Sequence, residues 1–136
     1  MNYRALISRE DLVYFSPAEV SIEGTPIGNG MMGTTVWTTP TSVRFHINRR
    51  DLFSSDRNHA GSHRCPVDYR GGCARIEIDV GEPVFELNDG FRQHLAIYDA
   101  ECTIISNDIS VRCFISSEHD ILAIEIDDQR RRLLCK

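Results

Sequence analysis

The sequence lacks any apolar stretch long enough to act as a signal peptide or to span a membrane. It also lacks a lysine and arginine stripe with interleaved aromatic residues, and its formal net charge is -5 at pH 7. Both features argue against binding to nucleic acid. The basic residues 130–132 are expected to form a solvated or frayed tail. These absences predict a cytoplasmic protein whose partners include neither nucleic acid nor membrane.

Paired CxxC spacing is missing as well, and the five cysteines are odd in number, so a complete disulfide framework is not indicated. Cys102 and Cys113 lie in apolar, strand-like runs, which predicts small buried side chains. A weak zinc candidate is the set of His59, His63, Cys65 and Cys73. Its residue types are zinc ligands, but its spacing matches no finger or ribbon. We therefore expect neither a metal nor a cofactor.

Helical periodicity is the third absence, since no stretch of ten residues shows it convincingly. Apolar and polar residues instead alternate in residues 74–80, 109–115 and 122–127, which is the pattern of half-buried strands. Further strand-like runs occupy residues 11–15, 42–47, 91–98 and 103–105. We predict an all-β fold, an antiparallel β-sandwich of seven to nine strands. Residues 49–72 form one long polar loop, which is expected to be functional or mobile.

The segment Gly28-x-Gly30-x-x-Gly33 has the spacing of the dinucleotide-binding fingerprint. That fingerprint requires a buried strand before the glycines and a helix after them. Pro26 would remove a hydrogen-bond donor from a central strand, and residues 34–39 favour a strand over a helix. We interpret the glycines as a sharp turn that leads into a strand. A nucleotide-dependent oxidoreductase would need alternating helices, which the sequence does not show.

The same glycine segment begins a longer pattern. The residues PIGNGxxGxxVW at 26–37 are followed by a strand, by Asp51-Leu52-Phe53, and later by RQHLAIYDAE at 92–101. This order resembles the N-terminal β-sandwich domain of fucosidase-like bacterial glycoside hydrolases of the family 95 type, closest to the branch that carries the domain called DUF5703. The resemblance covers residues 10–128. Residues 1–9 are then an N-terminal extension, and residues 129–136 are a tail that ends before the family's barrel.

The resemblance implies a supersandwich-like domain that packs against an (α/α)6 barrel, and it assigns the catalytic carboxylates to that barrel. We therefore expect no catalytic residue here, the barrel as partner, and carbohydrate as a second candidate partner. Candidates for substrate or domain contact are Asn29, Trp37, Asp51 and Phe53. Asp51 is expected to pin the loop by hydrogen bonds, and Trp37 to pack in the core or an interface rather than stack on a sugar. The alternative is a free-standing carbohydrate-binding or protein-interaction module, which would display a row of exposed aromatic residues.

Overall fold

The computed structural model of the chain describes residues 2–18, 20–54, 69–70, 72–87 and 90–130, with 53–54 and 69–70 described as backbone. This part of the chain contains one α-helix, α1 (Tyr3–Ile7), and the short 3₁₀ helices Ser8–Glu10 and Ser21–Glu23. Its strands are β1 (Leu12–Tyr14), β2 (Thr25–Gly28), β3 (Met32–Thr38), β4 (Ser42–Arg49), β5 (Phe53–Ser54), β6 (Tyr69–Arg70), β7 (Ala74–Asp79), β8 (Arg92–Ala96), β9 (Glu101–Ser106), β10 (Ile109–Ile115) and β11 (Leu122–Asp128). No helix among these residues is both long and apolar enough to cross a bilayer.

Two antiparallel sheets form a sandwich. The five-stranded sheet has the order β1-β8-β9-β10-β11, and the four-stranded sheet has the order β2-β3-β4-β7. The short strands β5 and β6 pair separately with each other. The predicted all-β sandwich is therefore confirmed, and each run that was predicted to be a strand contains one. The helices that a nucleotide-dependent oxidoreductase would need do not occur in the described ranges.

The core lies between the two sheets and follows from the period-two alternation of the strands. In β7, the half-buried Ile76 and Ile78 face the core, whereas Glu77 and Asp79 face solvent. Phe45 of β4 and Ile104 of β9 are fully buried contributions from opposite sheets. These side chains remove a continuous apolar surface from water, which is the main stabilising contribution to such a fold.

A buried glutamine links the two sheets. Gln93 of β8 donates from Nε2 to the carbonyl oxygen of Val36 in β3 at 3.0 Å and to the hydroxyl of Thr25 in β2. Only 3% of Gln93 is exposed, so these bonds satisfy polar groups that water cannot reach. Gln93 therefore fixes how the strands of one sheet lie over the strands of the other.

Two sequence-based expectations need correction. Trp37 points away from the core, because Val36 and Thr38 on either side of it are the buried residues of β3. Core packing of Trp37 is therefore wrong, and interface packing stays a prediction. The solvated tail is wrong at Arg130, whose guanidinium donates to the Val80 carbonyl oxygen at 2.9 Å and pairs with Asp128 at 2.7 Å. Residues 131–132 lie outside the described residues.

Candidate functional site

The glycine segment forms the hairpin turn between β2 and β3, as predicted. Gly30 has a φ of +89°, a conformation that side-chain-bearing residues rarely adopt. Gly28 is required for a different reason. A Cβ atom at Gly28 would lie 2.9 Å from the carbonyl oxygen of Met32, so the close approach of β2 and β3 excludes a side chain.

The side chain of Asn29 connects this turn to the opposite sheet. Its Oδ1 accepts hydrogen bonds from the backbone N–H groups of Met31 at 3.0 Å and Met32 at 2.8 Å, which holds the turn closed. Its Nδ2 reaches the β10–β11 loop and has three acceptors there, namely the carbonyl oxygens of Ser116 (3.0 Å) and His119 (3.3 Å) and Oδ1 of Asp120 (3.3 Å). Both ends of the amide are thus engaged within the protein.

Arg49, the last residue of β4, holds two carboxylates beside Asn29. Its Nε and Nη2 each donate to one oxygen of Asp51 at 3.0 Å, and its Nη1 lies 2.6 Å from Oδ2 of Asp120. Hydrogen bonds from Arg49 lower the pKa of Asp51, and those from Arg49 and then Asn29 lower the pKa of Asp120. The same two carboxylates raise the pKa of Arg49. We call Asn29, Arg49, Asp51 and Asp120 the end clasp, because they join the two sheets at one end.

A groove of about 470 Å³ runs beside the end clasp. It is lined by the glycine turn and by Asn48, Arg49 and Arg50. The backbone N–H of Arg50 donates to the carbonyl oxygen of Met31 at 2.9 Å, which holds the end of β4 against the turn. The groove thus combines glycine-rich backbone with the guanidinium group of Arg49, and its walls are fixed by the end clasp.

A second groove lies on the outer face of the four-stranded sheet and has a volume of about 400 Å³. Trp37, Arg44 and Glu77 occupy one rung across β3, β4 and β7, and His46 and Arg75 occupy the neighbouring rung. Arg44 donates to Oε1 of Glu77 from Nε at 3.0 Å and from Nη2 at 2.8 Å. We call these five residues the Trp37 groove. Its donors and acceptors sit beside an aromatic ring, a combination typical of sites that bind polar organic molecules.

Comparison with known families decides the affiliation. Residues 13–134 match the family model described as Domain of unknown function (DUF5703), N-terminal part. The chain belongs to this family. The match covers most of the chain, including the end clasp and the Trp37 groove. Comparison with curated proteins gives no match.

The DUF5703 domain brings only some of the sequence-predicted site residues together. Asn29 and Asp51 meet through Arg49 and Asp120 in the end clasp. Trp37 does not join them. It lies on β3 five residues beyond Met32, the residue at which β3 leaves the glycine turn, and at about 3.4 Å per residue this places it about 17 Å from Met32. The backbone of Phe53 pairs with that of Arg70 between β5 and β6.

The candidate zinc ligands are mostly outside the described residues, namely His59, His63 and Cys65. Cys73 is described, and it is an exposed thiol just before β7. Among the described residues, no three His, Cys, Asp or Glu side chains are grouped so that they could hold a metal. The expectation that the chain binds no metal therefore stays a prediction, and so does its alternative, a zinc ion held by these residues.

Sequence reasoning missed Arg49 and Asp120 as members of the site. Arg49 stands two residues before Asp51, and this spacing was the one local signal available. Asp120 is 71 residues from Arg49, so its role depends on how the two sheets pack. Local sequence patterns contain no information about that packing.

Proposed function

We propose that this DUF5703 domain is the accessory N-terminal domain of a fucosidase-like glycoside hydrolase and that it supports a catalytic (α/α)6 barrel. The resemblance in residues 26–37 and 92–101 supports the enzyme class. The observation that carries the supporting role is an apolar surface on one edge of the sandwich.

This surface is formed by residues 12–18 and 20–22, which run from β1 of the five-stranded sheet to the 3₁₀ helix before β2 of the four-stranded sheet. Phe15 is 68% exposed and Ile22 is 90% exposed. The exposed apolar side chains of this surface are Leu12, Tyr14, Phe15, Val20 and Ile22. We call this set the apolar edge. Exposed apolar side chains that are concentrated on one short segment favour an interaction site, because a partner that covers them removes apolar surface from water.

The apolar edge also has a hollow in which a partner's side chain can sit. This hollow has a volume of about 230 Å³ and is lined by Tyr14, Pro17, Glu23 and Gln93 among others. A small hollow beside exposed apolar side chains fits a helix surface, which presents side chains as knobs. We therefore assign the barrel contact to the apolar edge rather than to the outer sheet face around Trp37, whose neighbours are charged.

The carboxylates favour a supporting role over catalysis by this domain itself. Glycoside hydrolysis needs one carboxylic acid that keeps its proton near neutral pH, and therefore a raised pKa. The described carboxylates with a clear pKa shift all have a lowered pKa, because they accept hydrogen bonds: Asp11, Asp51, Glu77, Glu101 and Asp120. Groups of this kind are ionised at neutral pH and suit structural ion pairs.

The alternative, a free-standing carbohydrate-binding or protein-interaction module, receives less support. A carbohydrate module of this type would show a row of exposed aromatic side chains on one sheet. Among the described strands of the two main sheets, Trp37 is the one aromatic residue on the outer face of the four-stranded sheet, and Phe114 is the one on the outer face of the five-stranded sheet. Two isolated aromatic residues on opposite faces do not form such a row.

Binding to a helical barrel tests the proposal. The 136-residue chain is titrated by calorimetry into an (α/α)6 barrel taken from a protein in which that barrel follows a DUF5703 domain. We expect saturable binding that weakens at least about tenfold in the double variant Phe15→Ser and Ile22→Ser. The matched control is Ile105→Ser, because Ile105 is an exposed apolar residue on the outer face of β9.

Three outcomes would overturn the proposal. The first is an absence of binding to the barrel, and the second is equal weakening by the Ile105→Ser control. The third is hydrolysis of aryl α-L-fucosides by the chain alone at an ordinary enzymatic rate, on the order of 1 per second or more. The third outcome would move catalysis into the DUF5703 domain itself.

A further inference from the structure

The Trp37 groove is not needed by the supporting role and has features of its own. It lies on the outer face of the four-stranded sheet, away from the end clasp. Its volume of about 400 Å³ is within the range of roughly 300–1,000 Å³ that small-molecule sites have. The groove therefore has room for a ligand of the size of a sugar residue.

The ring of Trp37 provides an apolar wall. Trp37 is half-buried and is outside the core cluster. Among the described residues, the guanidinium groups that stack on aromatic rings are those of Arg4 on Tyr98 and Arg112 on Phe114. The Trp37 ring is not covered in this way, so it is available to the C–H face of a pyranose, which pairs an apolar surface with a polar rim.

Next to the ring, Arg44 and Glu77 form a fixed hydrogen-bonding pair. Glu77 Oε1 accepts from Arg44 Nε and Nη2 and from Ser42 Oγ at 2.9 Å. These bonds hold the carboxylate in place and lower the pKa of Glu77, so it is ionised at neutral pH. In the described part of the chain, no donor reaches the second oxygen, Glu77 Oε2. That oxygen is free to accept a hydrogen bond from a sugar hydroxyl.

Charge selects the type of sugar. Arg75 is exposed and is the cross-strand neighbour of His46 on the same face. Within the described residues, Arg75 has no ion-pair partner. Arg44, Arg75 and Glu77 together carry a net charge of +1, although the whole chain has a formal net charge of -5. An unpaired guanidinium favours a carboxylate, which it can bind with two parallel hydrogen bonds.

From this arrangement we propose that the Trp37 groove binds a saccharide residue that bears a carboxylate, that is, a uronic acid unit. Trp37 stacks on the ring, Arg44 and Glu77 bind hydroxyl groups, and Arg75 binds the carboxylate. A phosphate ester fits less well, because a dianion would face Glu77 with only one unpaired cation to offset it. The groove adjoins the apolar edge at Ser21, but the five residues that define it are not members of that edge. The two tests therefore change different residues, and either proposal can fail without the other.

Fluorescence gives a direct test, since Trp37 is the only tryptophan in the chain. The 136-residue chain is titrated with galacturonate- and glucuronate-containing trisaccharides and, separately, with their methyl esters. The esters keep the ring stereochemistry but remove the charge. We expect a saturable change of Trp37 emission with at least one acid and at least about tenfold weaker binding of its ester, because the ester loses a charge-assisted hydrogen bond to Arg75.

Variants separate the parts of the groove. Arg75→Gln is expected to weaken binding of the acid about tenfold and to leave the affinity for the ester within about twofold. Trp37→Ala, measured by calorimetry, is expected to weaken both. The matched control is Arg92→Gln, since Arg92 is an exposed arginine on the outer face of the other sheet. Far-ultraviolet circular dichroism checks that each variant is folded.

The proposal is overturned if neither acid binds with saturation in calorimetry. It is also overturned if acid and ester bind equally, because the carboxylate then has no role. Equal weakening by Arg92→Gln and Arg75→Gln would likewise contradict it, since binding would then follow overall charge rather than the groove.

Discussion

Arg49 Nη1 lies 2.6 Å from Asp120 Oδ2, and this contact joins the end of β4 to the loop between β10 and β11 in the opposite sheet. The same guanidinium holds Asp51 through its other two donors. Arg49 is therefore the centre of the end clasp, and its two carboxylates must be ionised for the clasp to be complete. This requirement makes the clasp sensitive to acid.

The first prediction concerns that acid sensitivity. The folded-state pKa values of Asp51 and Asp120 lie below the ordinary aspartate value of 3.8. The stabilisation they provide is thus fully present above about pH 4 and is lost as the pH falls through their lowered folded-state pKa values. In Arg49→Gln we expect a smaller loss of unfolding free energy below about pH 4 than in the wild type. The free energy of unfolding of both proteins is measured by urea unfolding, followed by Trp37 fluorescence, at a series of pH values from about 6 downwards.

The matched control for this experiment is Arg92→Gln, which removes an exposed arginine of β8 that is not a member of the end clasp. Other carboxylates with lowered pKa values, such as Asp11 and Glu101, are present in every variant and cancel in the comparison. If Arg49→Gln and the wild type lose stability equally over this pH range, the clasp is not the source of the acid sensitivity.

The second prediction concerns Asn29, whose amide holds the turn and the opposite loop together. Asn29→Ala removes both sets of bonds and leaves backbone groups of the turn without a partner. We expect a loss of about 1–3 kcal/mol of unfolding free energy. Asn48→Ala is the matched control, because Asn48 is an exposed asparagine on the adjacent strand. A loss from Asn29→Ala no larger than that from Asn48→Ala, measured by thermal or urea unfolding, would contradict the bridging role.

The third prediction separates the three glycines of the motif. Gly30→Ala places a side chain at a φ of +89° and should cost roughly 1–2 kcal/mol. Gly28→Ala should also destabilise, because its Cβ would meet the Met32 carbonyl oxygen at 2.9 Å. At Gly33 the nearest atom to a new Cβ is the Ile27 carbonyl oxygen at 3.6 Å, an ordinary contact. Gly33→Ala is therefore the internal control, and equal costs at all three positions would refute this assignment.

The positions of the strands along the chain were largely within reach of sequence analysis, and the orientation of β3 was not. Alternation in β7 and β11 identifies one apolar face, because the other face is charged or small. In β3 the two faces hold Thr34, Val36 and Thr38 on one side and Thr35 and Trp37 on the other. A tryptophan favours the second face, yet pairing with the buried Ile27 and Phe45 turns the first face inwards.

The end clasp shows the same limit for the candidate site. Asn29 and Asp51 were recognisable because a turn asparagine and a strand-end carboxylate are local features. Asp120 was not, because it reaches Arg49 only through the packing of two sheets. The fold class follows from local alternation, whereas a site built across the sandwich depends on contacts between distant segments.

The fourth prediction concerns the thiols. Cys102 and Cys113 are fully buried and face each other across β9 and β10. The hydrogen bond to Cys102, together with burial, raises the pKa of Cys113, and the reactive form of a thiol is the thiolate. We expect iodoacetamide at about pH 8 to modify the exposed Cys73 in the folded protein and to reach Cys102 and Cys113 only after denaturation. Peptide mass mapping measures each site, with Cys73→Ser as the control. Modification of Cys102 as fast as Cys73 under native conditions would mean that β9 and β10 open readily, contrary to their place in the core.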